Sequence, residues 1–221
     1  MRVFYKEIVA DEYILLDAAI HGDSEQVVNL LCNGMVDVNC SNLSQTLFSP
    51  IPTPLNEASR EGHINVVRIL IDNGANPNEA KKGEHTPLVG ASLHGHKDVV
   101  KLLLDRGADP NLASKSHLDA MHYTALHLAS RGGNKGTVKV LLEGGAEPNV
   151  MTDSMHTPLH FAAANGYLDV VKVLLNVGTN EKSKNCDCDD KNLLQCAKRR
   201  WMYDDQFNIK CISWSAKRRR M

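Results

Sequence analysis

Apolar residues recur along this chain at spacings that predict pairs of helices. One stretch has four of them at relative positions 0, 1, 4 and 5, namely Val66, Val67, Leu70 and Ile71. Such spacings place the side chains on a single stripe of an α-helix. A shorter apolar stretch precedes this one, on the other side of a glycine. The pattern therefore predicts a short helix followed by an amphipathic second helix.

Polar and special residues mark the ends of these two helices. Thr53 can cap the first helix, because its hydroxyl oxygen can accept a hydrogen bond from an unpaired backbone N–H. Pro54 follows at the first helical position, where the missing N–H costs nothing. Gly62 suits the left-handed residue that ends the short helix. Gly74 closes the second helix, and the sequence ANPN forms the turn into the next unit.

The same unit occurs several times. Four threonines begin successive units at intervals of 33, 38 and 33 residues, namely Thr53, Thr86, Thr124 and Thr157. Two series of glycines keep the same intervals, namely Gly62, Gly95, Gly133 and Gly166, and Gly74, Gly107, Gly145 and Gly178. Three markers in register indicate one repeated structural unit. Each helix pair has an apolar face too wide to bury alone, so neighbouring units must stack.

The clearest copy, TPLHFAAANGYLDVVKVLLNVG from Thr157, resembles the ankyrin-repeat family, and the resemblance covers roughly residues 13–180. It implies an all-α solenoid of antiparallel helix pairs, with β-turn or hairpin fingers between successive pairs. We predict five repeats, the first degenerate, at residues 13–45, 46–80, 81–118, 119–151 and 152–184. An N-terminal capping segment is expected at 1–12, a degenerate capping repeat at 185–202 and a poorly ordered basic tail at 203–221.

One insertion lengthens the step from the first unit to the second, from Tyr13 to Thr53. Insertions in solenoids usually fall in loops, often on the binding side. This one contains three apolar residues that are candidates for a contact with a partner, Leu47, Phe48 and Ile51. The alternative is that these side chains fold back onto their own loop.

Composition and motifs narrow the range of functions. The chain has 221 residues and a formal net charge of −1, which argues against a dedicated nucleic-acid or membrane-surface binder. It contains no phosphate-binding glycine motif, no nucleophile elbow and no HExxH zinc motif. We therefore expect no catalytic residues, no cofactor and no metal. Among the ten histidines, His127 and His160 occupy the repeat's own histidine position, and the resemblance implies a structural role for them.

Function is then expected to come from recognition of another protein by a monomer. The resemblance implies binding through a concave face, which consists of the fingers and the exposed ends of the first helix in each pair. The candidate contact residues are Lys81, Lys82, His85, Leu93, His94, Met121, His122, Tyr123, Arg131, Met155 and His156. Met121, Tyr123 and Met155 lie in consecutive fingers and predict an apolar spot surrounded by histidines and cations. The alternative is a solvated face with incidental aromatic residues.

Two other interpretations stay open at this point. A small-molecule or nucleotide receptor would use Lys81, Lys82, His85 and Arg131 to contact an anionic ligand. The chain could also be part of a longer protein whose activity lies elsewhere. We expect a cytoplasmic location, or a nuclear one if the four consecutive cations Lys217, Arg218, Arg219 and Arg220 act as an import signal.

Overall fold

The computed structural model describes residues 2–34, 36–40, 52–80, 85–115 and 122–177. Several predicted features lie outside these residues. They are the apolar insertion with Leu47, Phe48 and Ile51, the contact candidates Lys81, Lys82 and Met121, the capping repeat at 185–202 and the basic tail with its four cations.

Ten α-helices form five consecutive pairs within the described residues. The first helices of each pair, here called inner helices, are α1 (Arg2–His21), α3 (Pro54–Glu61), α5 (Pro87–His94), α7 (Ala125–Arg131) and α9 (Pro158–Ala164). The second helices, called outer helices, are α2 (Ser24–Cys32), α4 (Ile64–Asp72), α6 (Lys97–Asp105), α8 (Lys135–Glu143) and α10 (Leu168–Asn176). Two short strands, β1 (Ser114–Lys115) and β2 (His122–Tyr123), lie between α6 and α7.

The helix pairs stack in sequence order. Each inner helix packs against the next inner helix, each outer helix packs against the next outer helix, and the two helices of a pair pack against each other. Every major contact is therefore between chain neighbours, as in a solenoid. The predicted all-α solenoid with finger-like connections is confirmed.

The predicted threonine and glycine cap the two ends of α3 and of α5. The Thr53 hydroxyl accepts a hydrogen bond from the Asn56 backbone N–H at 3.2 Å, and Pro54 is the first helical residue. Gly62 ends α3 with φ of 86°, a conformation that other residues rarely adopt. A Cβ atom there would also lie only 2.6 Å from Nδ1 of His96 in the next repeat. Both the turn and the close contact between repeats therefore require glycine.

The first inner helix differs from the others because it lacks their start signal. A proline disfavours helical conformation in the residue before it, so Thr53 is extended and α3 cannot reach further back. Tyr13 and Ile14 replace the threonine and proline in the first unit. Nothing stops the helix there, and α1 runs through 20 residues from Arg2. Residues from Arg2 onward in the expected capping segment at 1–12 are thus continuous with the first inner helix.

Leucines and alanines fill the interior between repeats. The largest completely buried side chains include one leucine from nearly every helix, among them Leu15, Leu55, Leu70, Leu88, Leu103, Leu126, Leu141 and Leu174. Burial of each such side chain contributes about 1.5–3 kcal/mol relative to exposure. Four alanines at the same position in successive inner helices have no exposed surface, namely Ala58, Ala91, Ala129 and Ala162. Their small side chains allow adjacent inner helices to approach closely.

A column of buried serines follows these alanines. Ser59, Ser92 and Ser130 have no exposed surface, and their hydroxyl oxygens have no hydrogen-bond partner. The equivalent positions in the first and fifth repeats are Ala19 and Ala163. A buried hydroxyl without a partner carries a desolvation penalty that alanine avoids. The serines therefore weaken the stack at positions where the fold accepts alanine.

We predict that Ser92→Ala raises the free energy of unfolding by about 1 kcal/mol, because it removes this penalty and favours the helix. Urea unfolding of the purified protein measures the change. Ser59→Ala and Ser130→Ala should act in the same direction. A lower free energy of unfolding in all three variants would show that the hydroxyls have stabilising partners.

Candidate partner-binding face

The fingers are the loops that join each outer helix to the next inner helix. In the finger before α7, β1 and β2 pair antiparallel, with Ser114 opposite Tyr123 and Lys115 opposite His122. Because side chains alternate along a strand, adjacent residues point to opposite sides. His122 is exposed and Tyr123 is buried, as this alternation requires.

Tyr123 is an anchor inside the stack rather than an exposed contact. Only 3% of it is exposed. Its ring packs edge-on against His127 and against Phe161 of the next repeat, with ring centres 6.3 and 5.8 Å apart. The prediction of an exposed Tyr123 is therefore wrong, and the structure does not bring it together with Met155 as an apolar surface spot.

His127 fixes the following finger to α7. Its Nδ1 accepts a hydrogen bond from the Thr124 backbone N–H at 3.2 Å. Its Nε2–H donates to the carbonyl oxygens of Val150 and His156, at 3.0 and 3.2 Å. Since the carbonyls can only accept, the proton of the neutral ring must lie on Nε2. One side chain thus caps its own helix and holds both sides of the next finger.

Burial lowers the pKa of His127 from 6.5 to about 4. The two carbonyl hydrogen bonds favour the charged ring, but burial outweighs them. Protonation would also place a proton on Nδ1, where the ring now accepts the bond from Thr124. The finger geometry therefore depends on a neutral His127.

The finger between α8 and α9 ends in an exposed turn. Asp153 Oδ2 lies 2.9 Å from Nδ1 of His122, and about half of each side chain is exposed. This contact joins two neighbouring fingers. Met155 is 49% exposed, while His156 is half-buried and its ring packs against those of His160 and Phe161.

Three of the remaining candidates lie on the inner helices α5 and α7, and His85 lies in the finger before α5. Arg131 and His94 are exposed at the ends of α7 and α5, and His94 Nδ1 lies 3.1 Å from the carbonyl oxygen of Gly90. Leu93 is half-buried against the core. His85 is also half-buried, and its Nδ1 lies 3.2 Å from the Ser114 hydroxyl. The solvent-exposed candidates in the described residues are thus His94, His122, Arg131 and Met155.

The family comparison agrees with this architecture of stacked helix pairs and fingers. The profile for ankyrin repeats, described as three copies, matches residues 15–114 and 112–192. The chain belongs to the ankyrin-repeat family. A comparison with curated proteins finds no significant match.

Ankyrin repeats are typically non-catalytic. Within the described ranges, no helix has the length and apolar character needed to cross a membrane. The same residues contain no group of three or more histidine, cysteine, aspartate or glutamate side chains suited to a metal ion.

Asparagines on the finger side connect successive ankyrin repeats, a feature that the sequence analysis missed. Asn78 donates from Nδ2 to the Gly107 carbonyl at 3.0 Å, and its Oδ1 accepts from the Asp109 N–H at 2.7 Å. Asn39 and Asn111 make the same pair of bonds with their next repeats. The regular spacing of these asparagines was the available signal. They hold the fingers in a fixed spacing.

The histidine position of the ankyrin unit is not used uniformly. Asn56 stands in the second repeat where the fourth has His127. Both side-chain amide atoms of Asn56 are buried without a hydrogen-bond partner. The asparagine side chain is shorter than histidine, so the bridge to the next finger is absent in this repeat.

We predict that Asn56→His raises the free energy of unfolding by about 1 kcal/mol or more. The ring would bond to the carbonyls of Glu79 and His85, which correspond to Val150 and His156, and would remove a buried unpaired amide. Chemical denaturation measures the change. An Asn56→Ala variant is the control, since it removes the amide without adding the bridge. If the histidine variant is no more stable than the alanine variant, the bridge does not form.

We also predict that stability falls as the pH decreases from about 6.5 to 4. The pKa of His127 is about 4 in the folded protein and 6.5 in the unfolded chain. In this window the unfolded state binds more protons, so acid favours unfolding, by up to about 3 kcal/mol from this group. The measurement is the free energy of unfolding at pH 7 and at pH 5. In His127→Gln the difference between the two pH values should shrink. An unchanged difference would contradict the assignment to His127.

Proposed function

We propose that this protein is a non-catalytic binding module that acts as an adaptor, scaffold or inhibitor for another protein. Ankyrin repeats are generally protein–protein interaction modules. The binding surface in this proposal is the concave face, formed by the fingers and the exposed ends of the inner helices.

One observation carries the proposal: the fingers are held rigidly from inside while their tips remain exposed. His127 fixes the backbone on both sides of the finger before α9. Tyr123 anchors the preceding finger in the core. A surface that is already ordered loses less conformational entropy on binding, which favours affinity.

Arg131 is the cation best placed to contact a partner. It is exposed at the end of α7 and forms no ion pair with any residue in the described ranges. Arg60, at the equivalent position of α3 two repeats earlier, instead pairs with Glu57 and Glu61 at 2.7 and 3.2 Å. The guanidinium of Arg131 therefore suits a carboxylate of the partner, and arginine is a common residue at the centre of interfaces.

We predict that Arg131→Ala weakens binding of the partner by more than about 1 kcal/mol, or roughly fivefold in Kd, without changing Tm. Cross-linking and capture from cell extract would first identify the partner, and titration calorimetry with the purified pair would then give Kd. The matched control is Arg68→Ala, which removes an exposed arginine from the outer helix α4. Equal Kd values for both variants and the wild type would place the binding surface elsewhere.

A further inference from the structure

The turn at the tip of the finger before α9 holds a methionine in a conformation that favours glycine. The Met155 N–H donates to the Thr152 carbonyl at 2.8 Å, and the Thr152 N–H donates to the His156 carbonyl at 2.9 Å. This is a type I turn followed by a residue in the left-handed region, a standard three-residue hairpin loop. Met155 is that residue, with φ of 63°.

Met155 is the one residue other than glycine with positive φ in the described ranges. The left-handed conformation costs a residue with a Cβ atom roughly 1–2 kcal/mol, and glycine avoids this cost. At every other position with positive φ in the described ranges the residue is glycine, as at Gly74 and Gly107. The turn itself therefore gains nothing in stability from methionine.

The surroundings hold Met155 in place. The His156 N–H donates to the Thr152 hydroxyl at 3.2 Å, and Thr152 is buried. His127 binds the His156 carbonyl from below, and Asp153 contacts His122 of the preceding finger. The methionine is thus presented on a fixed backbone, although its side chain is half exposed.

The chemistry of this tip indicates what it can contact. Met151, four residues earlier, is 42% exposed, so two thioether side chains flank the turn. Methionine is flexible and polarizable, and it packs well against varied apolar groups. The Asp153 carboxylate between them is 59% exposed. Its negative charge disfavours phosphate groups of nucleic acid or anionic lipid and favours a nearby cation.

We propose that the fingertip, residues 151–155, is a contact element that binds an apolar side chain of a protein partner next to a lysine or arginine. The apolar side chain packs on Met155 and Met151, and the cation lies near Asp153. The strained turn is tolerated because methionine supplies a contact that glycine cannot. This inference rests on the proposed protein-binding function and assigns it a specific point of contact.

The test uses peptides selected from a random displayed library on the whole wild-type protein. We expect selected peptides to combine an apolar residue with a neighbouring lysine or arginine. Met155→Gly should weaken their binding about tenfold, as loss of a buried anchor does. The same variant should raise Tm by about 2–4 °C, because the strain is relieved. Fluorescence anisotropy with the synthetic peptide gives Kd, and a thermal scan gives Tm.

Two further variants distinguish the loss of the thioether contact from the relief of backbone strain and provide a control for exposed apolar surface elsewhere. Met155→Ala removes the thioether but keeps the strain, so binding should weaken without an increase in Tm. Val28→Ala removes an exposed apolar side chain from the outer helix α2 and should leave the Kd for the peptide unchanged.

Each outcome decides the matter. Equal affinity of Met155→Gly and wild type for the peptides, or a Tm that does not rise in Met155→Gly, overturns the proposal. Tight binding of labelled single-stranded DNA or phosphatidylserine vesicles that is lost in Met155→Gly would also overturn the proposal. If Arg131→Ala loses the identified partner while Met155→Gly keeps it, the concave face binds but the fingertip does not. If only Met155→Gly loses it, the fingertip binds without the Arg131 region.

Discussion

Burial of apolar surface between neighbouring helix pairs is the interaction on which this structure depends. No pair can cover its own apolar stripe, so each repeat is stable only through the repeats beside it. The column of alanines Ala58, Ala91, Ala129 and Ala162 determines how closely the inner helices approach. That close approach brings His96 against Gly62, so that only glycine fits at the end of α3. Packing, turn conformation and repeat spacing therefore constrain the same few residues.

Hydrogen bonds between repeats fix the relative orientation of the stacked units, which apolar packing alone leaves less defined. Leucine and valine contacts alone would tolerate small rotations between units, whereas the bonds from Asn78 and His127 specify where each finger must lie. The same bonds connect stability to recognition, because the exposed tips are attached to groups buried in the core. The turn at Met155 is instead less stable than it could be. Its left-handed backbone conformation costs methionine more free energy than it would cost glycine. Stability in the interior and strain at the tip coexist because the fingers are held from below.

The sequence predicted the repeat, the helix ends and the solenoid, because those follow from local chemistry: a capping threonine, a proline and a glycine at fixed spacing. It failed where a residue's environment depends on a partner strand. The sequence pattern predicts an exposed Tyr123, although alternation along β2 allows only one of His122 and Tyr123 to face solvent. The direction of that alternation depends on the register with Ser114, which is nine residues away along the chain. The strained backbone of Met155 was likewise hidden, since nothing in its neighbours marks a left-handed residue.

The length of α1 has a consequence for the shape of the finger row. A helix of 20 residues is about 30 Å long, whereas the eight residues of α3 span about 12 Å. The extra turns of α1 precede the position where other inner helices begin, so they project on the side where fingers stand. At the first repeat these extra turns of α1 therefore stand where a finger precedes each of the other inner helices. A long partner lying along the fingers would therefore meet a helix rather than another finger at the first repeat, which would give an otherwise uniform array a polarity.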